Sequence, residues 1–302
     1  VPMPLREARY WTSEADGYVR CTLCAQYCRI KPGKVGVCGV RENVDGELKT
    51  AVYGMLAAMN VDPIEKKPLF HTFPGSRALS LATVGCNFRC TFCQNWDLSQ
   101  SSKGRDRKIS GHHAEPEELV RAALQHDCRV IAYTYSEPTI FYEWAYDVAK
   151  LATERGILNV FVTNGYITPK PLRDIQPYLR AANVDVKSFR DAEYRKHMGA
   201  PGVGPVLDTL RLMRKLGVWV EVTTLIIPTR NDSDEELRDI ARFVAKELGP
   251  EVPWHISRFH PDYRDTDLPP TPVSTLRRAY EIGRGEGLRY VYMGNVPGDD
   301  TE

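Results

Sequence analysis

The chain has 302 residues, 42% of them apolar, and 40 basic against 39 acidic residues leave a formal net charge of +1. That length suffices for one large barrel or two domains with cores of their own, and the charge balance gives no global field for nucleic acid or a membrane surface. No stretch nears the roughly eighteen apolar residues of a membrane span, and Val1-Pro2-Met3-Pro4-Leu5-Arg6 shows no signal-peptide core, so a cytoplasmic protein without a membrane partner is expected.

In chain order, residues 1 to about 75 read as an irregular N-terminal cysteine-rich metal-binding module. Cys21, Cys24, Cys28 and Cys38 offer four thiolates, with Gly33, Gly36 and Gly39 letting the chain fold around an ion. Four thiolates close a coordination sphere, which suits a structural or electron-transferring site: zinc or an auxiliary iron–sulfur cluster. Spacing alone leaves the two open. Arg29, Lys31, Lys34 and Arg41 put local positive charge beside this module.

An apolar run at 78–84 reads as a buried strand and leads into Gly85-Cys86-Asn87-Phe88-Arg89-Cys90-Thr91-Phe92-Cys93-Gln94-Asn95. Three thiolates stand on one tight loop with no fourth cysteine close behind. Structural zinc normally closes with four ligands, whereas a cubane takes one thiolate per iron, so three ligands suggest a [4Fe–4S] cluster with one iron open to chemistry. Phe92 is placed to cover the cluster, and Asn95 either donates to a sulfide or caps a helix. Clustering of seven of the eight cysteines reads as metal binding in a reducing compartment. The last, Cys128, reads as a buried hydrophobe at a strand start.

Further β-branched runs recur at 129–134, 158–163, 182–187, 218–227 and 252–257, with a possible short closing strand at 290–293. Between them lie helical periods. Glu115–His126 carries Leu119, Val120, Ala123 and Leu124 on one face. Ser233–Leu248 carries Leu237, Ile240, Ala241, Val244 and Leu248, opened by a Ser233/Glu236 capping box. Thr271-Pro272 starts another helix. Six strands alternating with helices predict an α/β fold, a partial (β/α)6 barrel of parallel strands over 76–298, with 299–302 as a tail. In such folds the site lies at the carboxyl ends of the strands.

Those ends carry candidate ligands. Ser136-Glu137-Pro138 orients a carboxylate toward a cationic ligand, or else charges a helix N-terminus. Thr163-Asn164-Gly165 suits a ribose or carboxylate, or simply a turn. Asp185 and Lys187 share a strand side, as ligands or as an ion pair. His255 and His260 follow the sixth run as site or core residues. There is no G-x-S-x-G, Walker loop or dinucleotide fingerprint.

The Cys86, Cys90, Phe92, Cys93 pattern after a strand resembles the radical S-adenosylmethionine (SAM) superfamily. Tyr133-Thr134-Tyr135-Ser136-Glu137 is similar to its Gly-Gly-Glu segment, with Tyr135 and Ser136 where glycines are usual. Thr163-Asn164-Gly165 and Asp185-Val186-Lys187 resemble segments of its activating enzymes. Cys38-Gly39-Val40-Arg41-Glu42-Asn43, Asp62-Pro63-Ile64-Glu65-Lys66-Lys67-Pro68-Leu69 and Gly287–Gly298 look like the radical SAM enzyme of the AmmeMemoRadiSam system, a relative of pyruvate formate-lyase activating enzymes. The resemblance implies a [4Fe–4S] cluster on Cys86, Cys90 and Cys93, and SAM contacted by Glu137, Ser136, Thr163, Asn164, Asp185, Lys187 and His260. It assigns no catalytic side chain. An oxidoreductase is implied that cleaves SAM reductively to methionine and a 5′-deoxyadenosyl radical, which abstracts hydrogen from an unidentified small molecule or protein. An electron donor such as ferredoxin or flavodoxin is implied as partner. Two narrower alternatives are a glycyl-radical enzyme activase and an RNA-modifying enzyme gripping nucleic acid through its N-terminal module, the latter disfavoured by the neutral charge.

Overall fold

The computed structural model describes residues 5–296; the expected tail at 299–302 lies outside them. One eight-stranded sheet organises the chain. Its strands are β1 (Ala58–Pro63), β2 (Arg77–Ala82), β3 (Val130–Tyr133), β4 (Leu158–Thr163), β5 (Leu179–Asp185), β6 (Trp219–Ile226), β7 (Trp254–Arg258) and β8 (Val291–Gly294). They lie side by side from β1 to β8 in sequence order. β2 through β8 are parallel, and β1 pairs antiparallel with β2.

The expected α/β class with a parallel sheet is observed, with seven parallel strands instead of six. The run near 290 makes the seventh, pairing Trp254–Ser257 with Val291–Gly294. β1, from the segment preceding residue 76, adds the eighth. No pairing joins β1 to β8, so the sheet is open.

Helices cover the crossovers: α1 (Pro116–Gln125), α2 (Tyr142–Glu154), α3 (Gly204–Lys215), α4 (Asp234–Phe243) and α5 (Val273–Gly285), with a shorter helix, Pro169–Ile175, between β4 and β5. Strands buried on both faces read as unbroken apolar runs, and β3 is buried at every residue. Leu119, Val120 and Ala123 of α1 are buried as expected, while Leu124 is 50% exposed at the edge of that face. Ser233 caps α4 by accepting from the Glu236 N–H at 3.3 Å. Glu236 does not complete the capping box. Its carboxylate accepts from Ser188 Oγ and from the Phe189 N–H at 2.7 Å, tying α4 to the loop after β5. The helical pattern through Leu248 continues past α4 as wider turns, Val244–Leu248. Pro272 stands one position earlier than expected, as the residue before α5. Cys128 is buried, as expected.

The N-terminal segment forms two small antiparallel sheets: Arg6–Glu7 with Glu47–Thr50 and Arg41–Val44, and Trp11–Ser13 with Val19–Cys21 and Arg29–Ile30. It is clamped to the carboxyl end of the main sheet. Cys24 bridges to Ile167, the Ala25 N–H donates to Tyr166 O at 2.8 Å, and Ser102 Oγ donates to Cys38 O at 2.9 Å. A buried ion pair, Arg41 Nη1 to Glu143 Oε1 at 2.9 Å, fastens it to α2.

Candidate radical SAM site

β2 delivers the chain to Gly85, whose φ of 108° is open only to glycine at low cost. A Cβ there would also meet Val40 Cγ1 at 2.7 Å. The loop that follows is held by backbone bonds, Arg89 N–H to Met198 O at 2.7 Å and Thr91 N–H to His197 O at 2.9 Å. Cys86, Cys90 and Cys93 thus stand on a braced loop, and all three line a cavity of about 330 Å³. Burial pushes the Cys86 thiol up, and pushes Cys90 up to about 12 against the lowering pull of Lys187. Such thiols keep their protons until a metal displaces them. Phe92 is buried against the cavity as expected. Asn95 also lines it, at the position before the turn Trp96–Ser99, where its side chain makes no capping bond. Beneath the loop the Lys103 ammonium donates to Phe88 O and to Gln100 Oε1, and burial lowers its pKa.

The ends of β3 to β7 close the cavity. Glu137 is 2% exposed and its carboxylate is heavily engaged. Oε1 accepts from the Thr139 N–H at 3.0 Å, Thr139 Oγ1 at 2.6 Å and Thr163 Oγ1 at 2.7 Å, and Oε2 accepts from the Asn164 N–H at 2.8 Å. Burial raises its pKa while these donors oppose the rise. Backbone N–H groups on both oxygens hold the carboxylate form and splice the end of β3 to the end of β4.

Ser136 is buried on the same cavity with its Oγ lacking any hydrogen-bond partner among the described residues. Thr163 and Asn164 line the wall, and Asn164 Nδ2 reaches Asn87 Oδ1 at 2.6 Å. Asp185 and Lys187 form an ion pair of 2.7 Å facing the cavity. Burial works against the Lys187 charge, but Asp185 and Cys90 outweigh it and hold the ammonium well above its usual range. His260 does not line the cavity; it stands 55% exposed and bonds to Gln94 Nε2 at 3.1 Å. His255 is a core residue, buried on β7 with Nε2 at 2.7 Å from Glu221 Oε2.

Thr223, on β6, was not legible as a site residue. Its Oγ1 is the second unpartnered buried hydroxyl of the cavity wall, and only the pairing of β6 with β5 and β7 brings it there. Tyr135, where a glycine is usual, adopts a φ of 61° and lines the cavity. Its hydroxyl donates to Asp62 Oδ2 at 2.6 Å, and Lys67 Nζ contacts the same oxygen at 2.7 Å. The first two thirds of that arrangement lie in the Asp62-to-Lys67 stretch quoted from the sequence.

Cys21, Cys24, Cys28 and Cys38 surround a separate enclosed cavity. Burial raises Cys24 well above its ordinary value and lifts Cys28 to about 11. The basic patch beside them is smaller than expected, because Arg41 is buried on Glu143 and Arg29 pairs with Glu14.

The family model of the radical SAM superfamily matches residues 80–244, more than half of the chain, and that span includes the three cysteines and the strand ends from β3 to β6. The chain belongs to the radical SAM superfamily. It is 47% identical over 298 residues to an uncharacterised Methanocaldococcus jannaschii protein, MJ0808, covering 99% of this chain and 87% of that one. It is 26% identical to the pyruvate formate-lyase-activating enzyme of Clostridium pasteurianum over 57% of this chain and 70% of that one. A crystal structure of a radical SAM methyltransferase from Sphaerobacter thermophilus shares the fold, with a TM-score of 0.55, 15% identity, and coverage of 97% of this chain and 78% of that one. Family membership implies a [4Fe–4S] cluster and SAM. The cavity suits them: three thiols on one loop leave room for an under-ligated cluster, and two unpartnered hydroxyls wait on its wall.

Proposed function

We propose that this chain is a radical SAM enzyme of the AmmeMemoRadiSam type, related to but distinct in substrate from the glycyl-radical activases. The observation that carries the reading is the convergence of Cys86, Cys90 and Cys93 with the unpartnered Ser136 and Thr223 hydroxyls on one cavity at the strand ends. Cys86, Cys90 and Cys93 would hold the cluster and leave one iron to SAM. When bound, the two together supply one-electron cleavage of SAM to methionine and a 5′-deoxyadenosyl radical that takes hydrogen from the substrate.

The chain's own residues bind, orient and exclude water. Ser136 and Thr223 supply hydroxyls to a polar ligand, and Lys187 supplies a cation that Asp185 holds in place. Glu137 fixes the wall through Asn164 and Thr163, so its part in SAM binding is mostly positional. His260 faces the exterior near Gln94, which suits a contact with substrate at the mouth more than with SAM. A metal on the N-terminal quartet, a cytoplasmic setting and a ferredoxin or flavodoxin donor belong to the same reading, supported by eight free thiols. Among the described residues no helix is long and apolar enough to cross a membrane. Pairing of Arg29 and Arg41 with carboxylates weighs against a nucleic-acid grip.

The test is anaerobic reconstitution followed by iron and sulfide analysis and a 5′-deoxyadenosine assay. Wild type is expected to cleave SAM, and Cys90→Ala to lose that cleavage together with the cavity cluster. Continued SAM cleavage by Cys90→Ala would refute the assignment. The activase reading, favoured by the Clostridium relative, predicts a glycyl radical in electron paramagnetic resonance when a glycyl-loop partner is added.

A further inference from the structure

Lys66, Lys67 and Pro68 line the three-cysteine cavity, yet no group assigned to the cluster or to SAM lies in that segment. The segment is pinned across the sheet. Lys67 Nζ donates to Asp62 Oδ2 on β1 at 2.7 Å, and Asn183 Nδ2 on β5 donates to Pro68 O at 2.8 Å. Glu221 on β6 accepts from the Phe70 N–H at 3.1 Å and the His71 N–H at 2.9 Å. Asn183 and Glu221 stand two residues before Asp185 and Thr223, so each pair shares a strand face, about 6–7 Å apart along the strand. Asp185 and Thr223 line the cavity, and the segment held one step toward the amino ends therefore forms its floor.

That floor carries more positive than negative charge. Lys66 Nζ donates to Asp62 Oδ1 at 3.1 Å, so two ammoniums share one carboxylate, which also accepts from Tyr135 OH and Ser80 Oγ. An ammonium has three N–H donors. Among the described residues Lys66 uses one of them, on Asp62, while Lys67 uses one on Asp62 and a second, at 3.5 Å, on Tyr135 OH. Lys67 is 2% exposed, and burial lowers its pKa more than Asp62 raises it. The shared carboxylate does not fully compensate the buried ammonium.

The carboxylates of the cavity itself are already taken. Glu137 accepts from Thr139, Thr163 and Asn164, and Asp185 pairs with Lys187 at 2.7 Å. Across the cavity, β6 and β7 add hydroxyls. Thr223 Oγ1 has no partner among the described residues, and Ser257 Oγ accepts from Asn295 Nδ2 at 2.9 Å, which leaves its own O–H to donate. This end of the cavity offers two ammoniums and two hydroxyls with no free carboxylate to meet them. A neutral or cationic group would leave the ammoniums unmatched, whereas an oxyanion satisfies ammonium and hydroxyl together.

We propose that Lys66 and Lys67, with the Thr223 and Ser257 hydroxyls, bind a carboxylate or phosphate group of a small-molecule substrate. The proposal rests on the radical SAM reading and adds the substrate class to it. Lys66, with a side chain 67% exposed, meets the anion at the entrance, and the buried Lys67 holds it at the floor. The rest of the substrate then points toward the cluster loop at the carboxyl ends of the strands.

The test uses the full chain, reconstituted anaerobically and loaded with SAM in phosphate-free buffer. It is titrated by calorimetry with inorganic phosphate and, separately, with succinate. At least one probe should saturate a single site, and the tighter of the two names the group. Lys67→Met would leave the buried Asp62 without its nearest cation, so the exposed Lys66 carries the test. Lys66→Met should weaken the tighter probe about tenfold, the loss of one charge-assisted bond, and Lys66→Arg should restore it. Thr223→Val removes a hydroxyl that no protein group uses, and should weaken the same probe severalfold without lowering the melting temperature. No saturable binding of either probe, or binding that Lys66→Met leaves unchanged, would overturn the proposal. So would a matching fall in SAM affinity in Lys66→Met, because the oxyanion would then be the carboxylate of SAM. In protein that binds the probe through Lys66 but never cleaves SAM, the proposed function fails and the anion site stands.

Discussion

At the scale of single residues, the site separates groups that hold the wall from groups left free for a ligand. Glu137 receives four donors inside the protein, while Ser136, the next residue, has a buried hydroxyl with none. Replacing Glu137 by Gln sets an NH2 group against donors, leaving at least one of them unmatched at a cost of about 1–3 kcal/mol. The expected outcome is a lower melting temperature and weaker SAM binding by titration, with iron content intact. Unchanged affinity would show that the wall does not depend on this carboxylate. The cysteine pattern was legible because its spacing lies within one loop. The role of Thr223 was not, because it arises from register between β6 and its neighbours, and a threonine in mid-strand carries no local mark.

At the scale of elements, local signals identified the crossovers and misjudged what terminates them. The Ser233 cap is present, yet the Glu236 carboxylate is drawn to Ser188 and Phe189 across a sequence gap that periodicity cannot see. The two groups therefore differ in weight. Ser233→Ala loses an exposed cap, about 1 kcal/mol. Glu236→Ala strands the Phe189 N–H beside the loop that follows Asp185 and Lys187, about 1–3 kcal/mol. Urea unfolding should show the larger drop in midpoint for Glu236→Ala; equal drops would mean that the loop finds another acceptor. β1 escaped the sequence reading for a similar reason: the one buried residue of Ala58–Pro63 is the polar Asp62, and its strand character comes from pairing with β2.

For the molecule as a whole, one buried ion pair ties β1 and the turn after it to β2 and the end of β3. Its carboxylate is Asp62 on β1. Burial pushes its carboxyl up, but bonds from Lys67 Nζ, Tyr135 OH and Ser80 Oγ outweigh burial and hold it well below the usual carboxylate range. A depressed carboxyl contributes stability that is present above its unfolded value of about 4 and fades as pH falls below it. Wild type and Asp62→Asn should accordingly differ in melting temperature at neutral pH, with the gap beginning to narrow below about pH 4 and closing only as the pH falls through the lower folded-state value. A constant gap across that window would exclude this ion pair as the source.

Gly39 and Gly85 press the two cysteine loops together so closely that a methyl group on Gly39 would lie 2.0 Å from Ser102 O. On that side each cysteine segment is closed by the other: Gly85 faces Val40 and Cys38 O, and Gly39 faces Ser102. Dividing the chain between the two motifs would therefore uncover thiols that the intact fold keeps buried, and variants are better sought by changing the cavity mouth than by shortening the polypeptide.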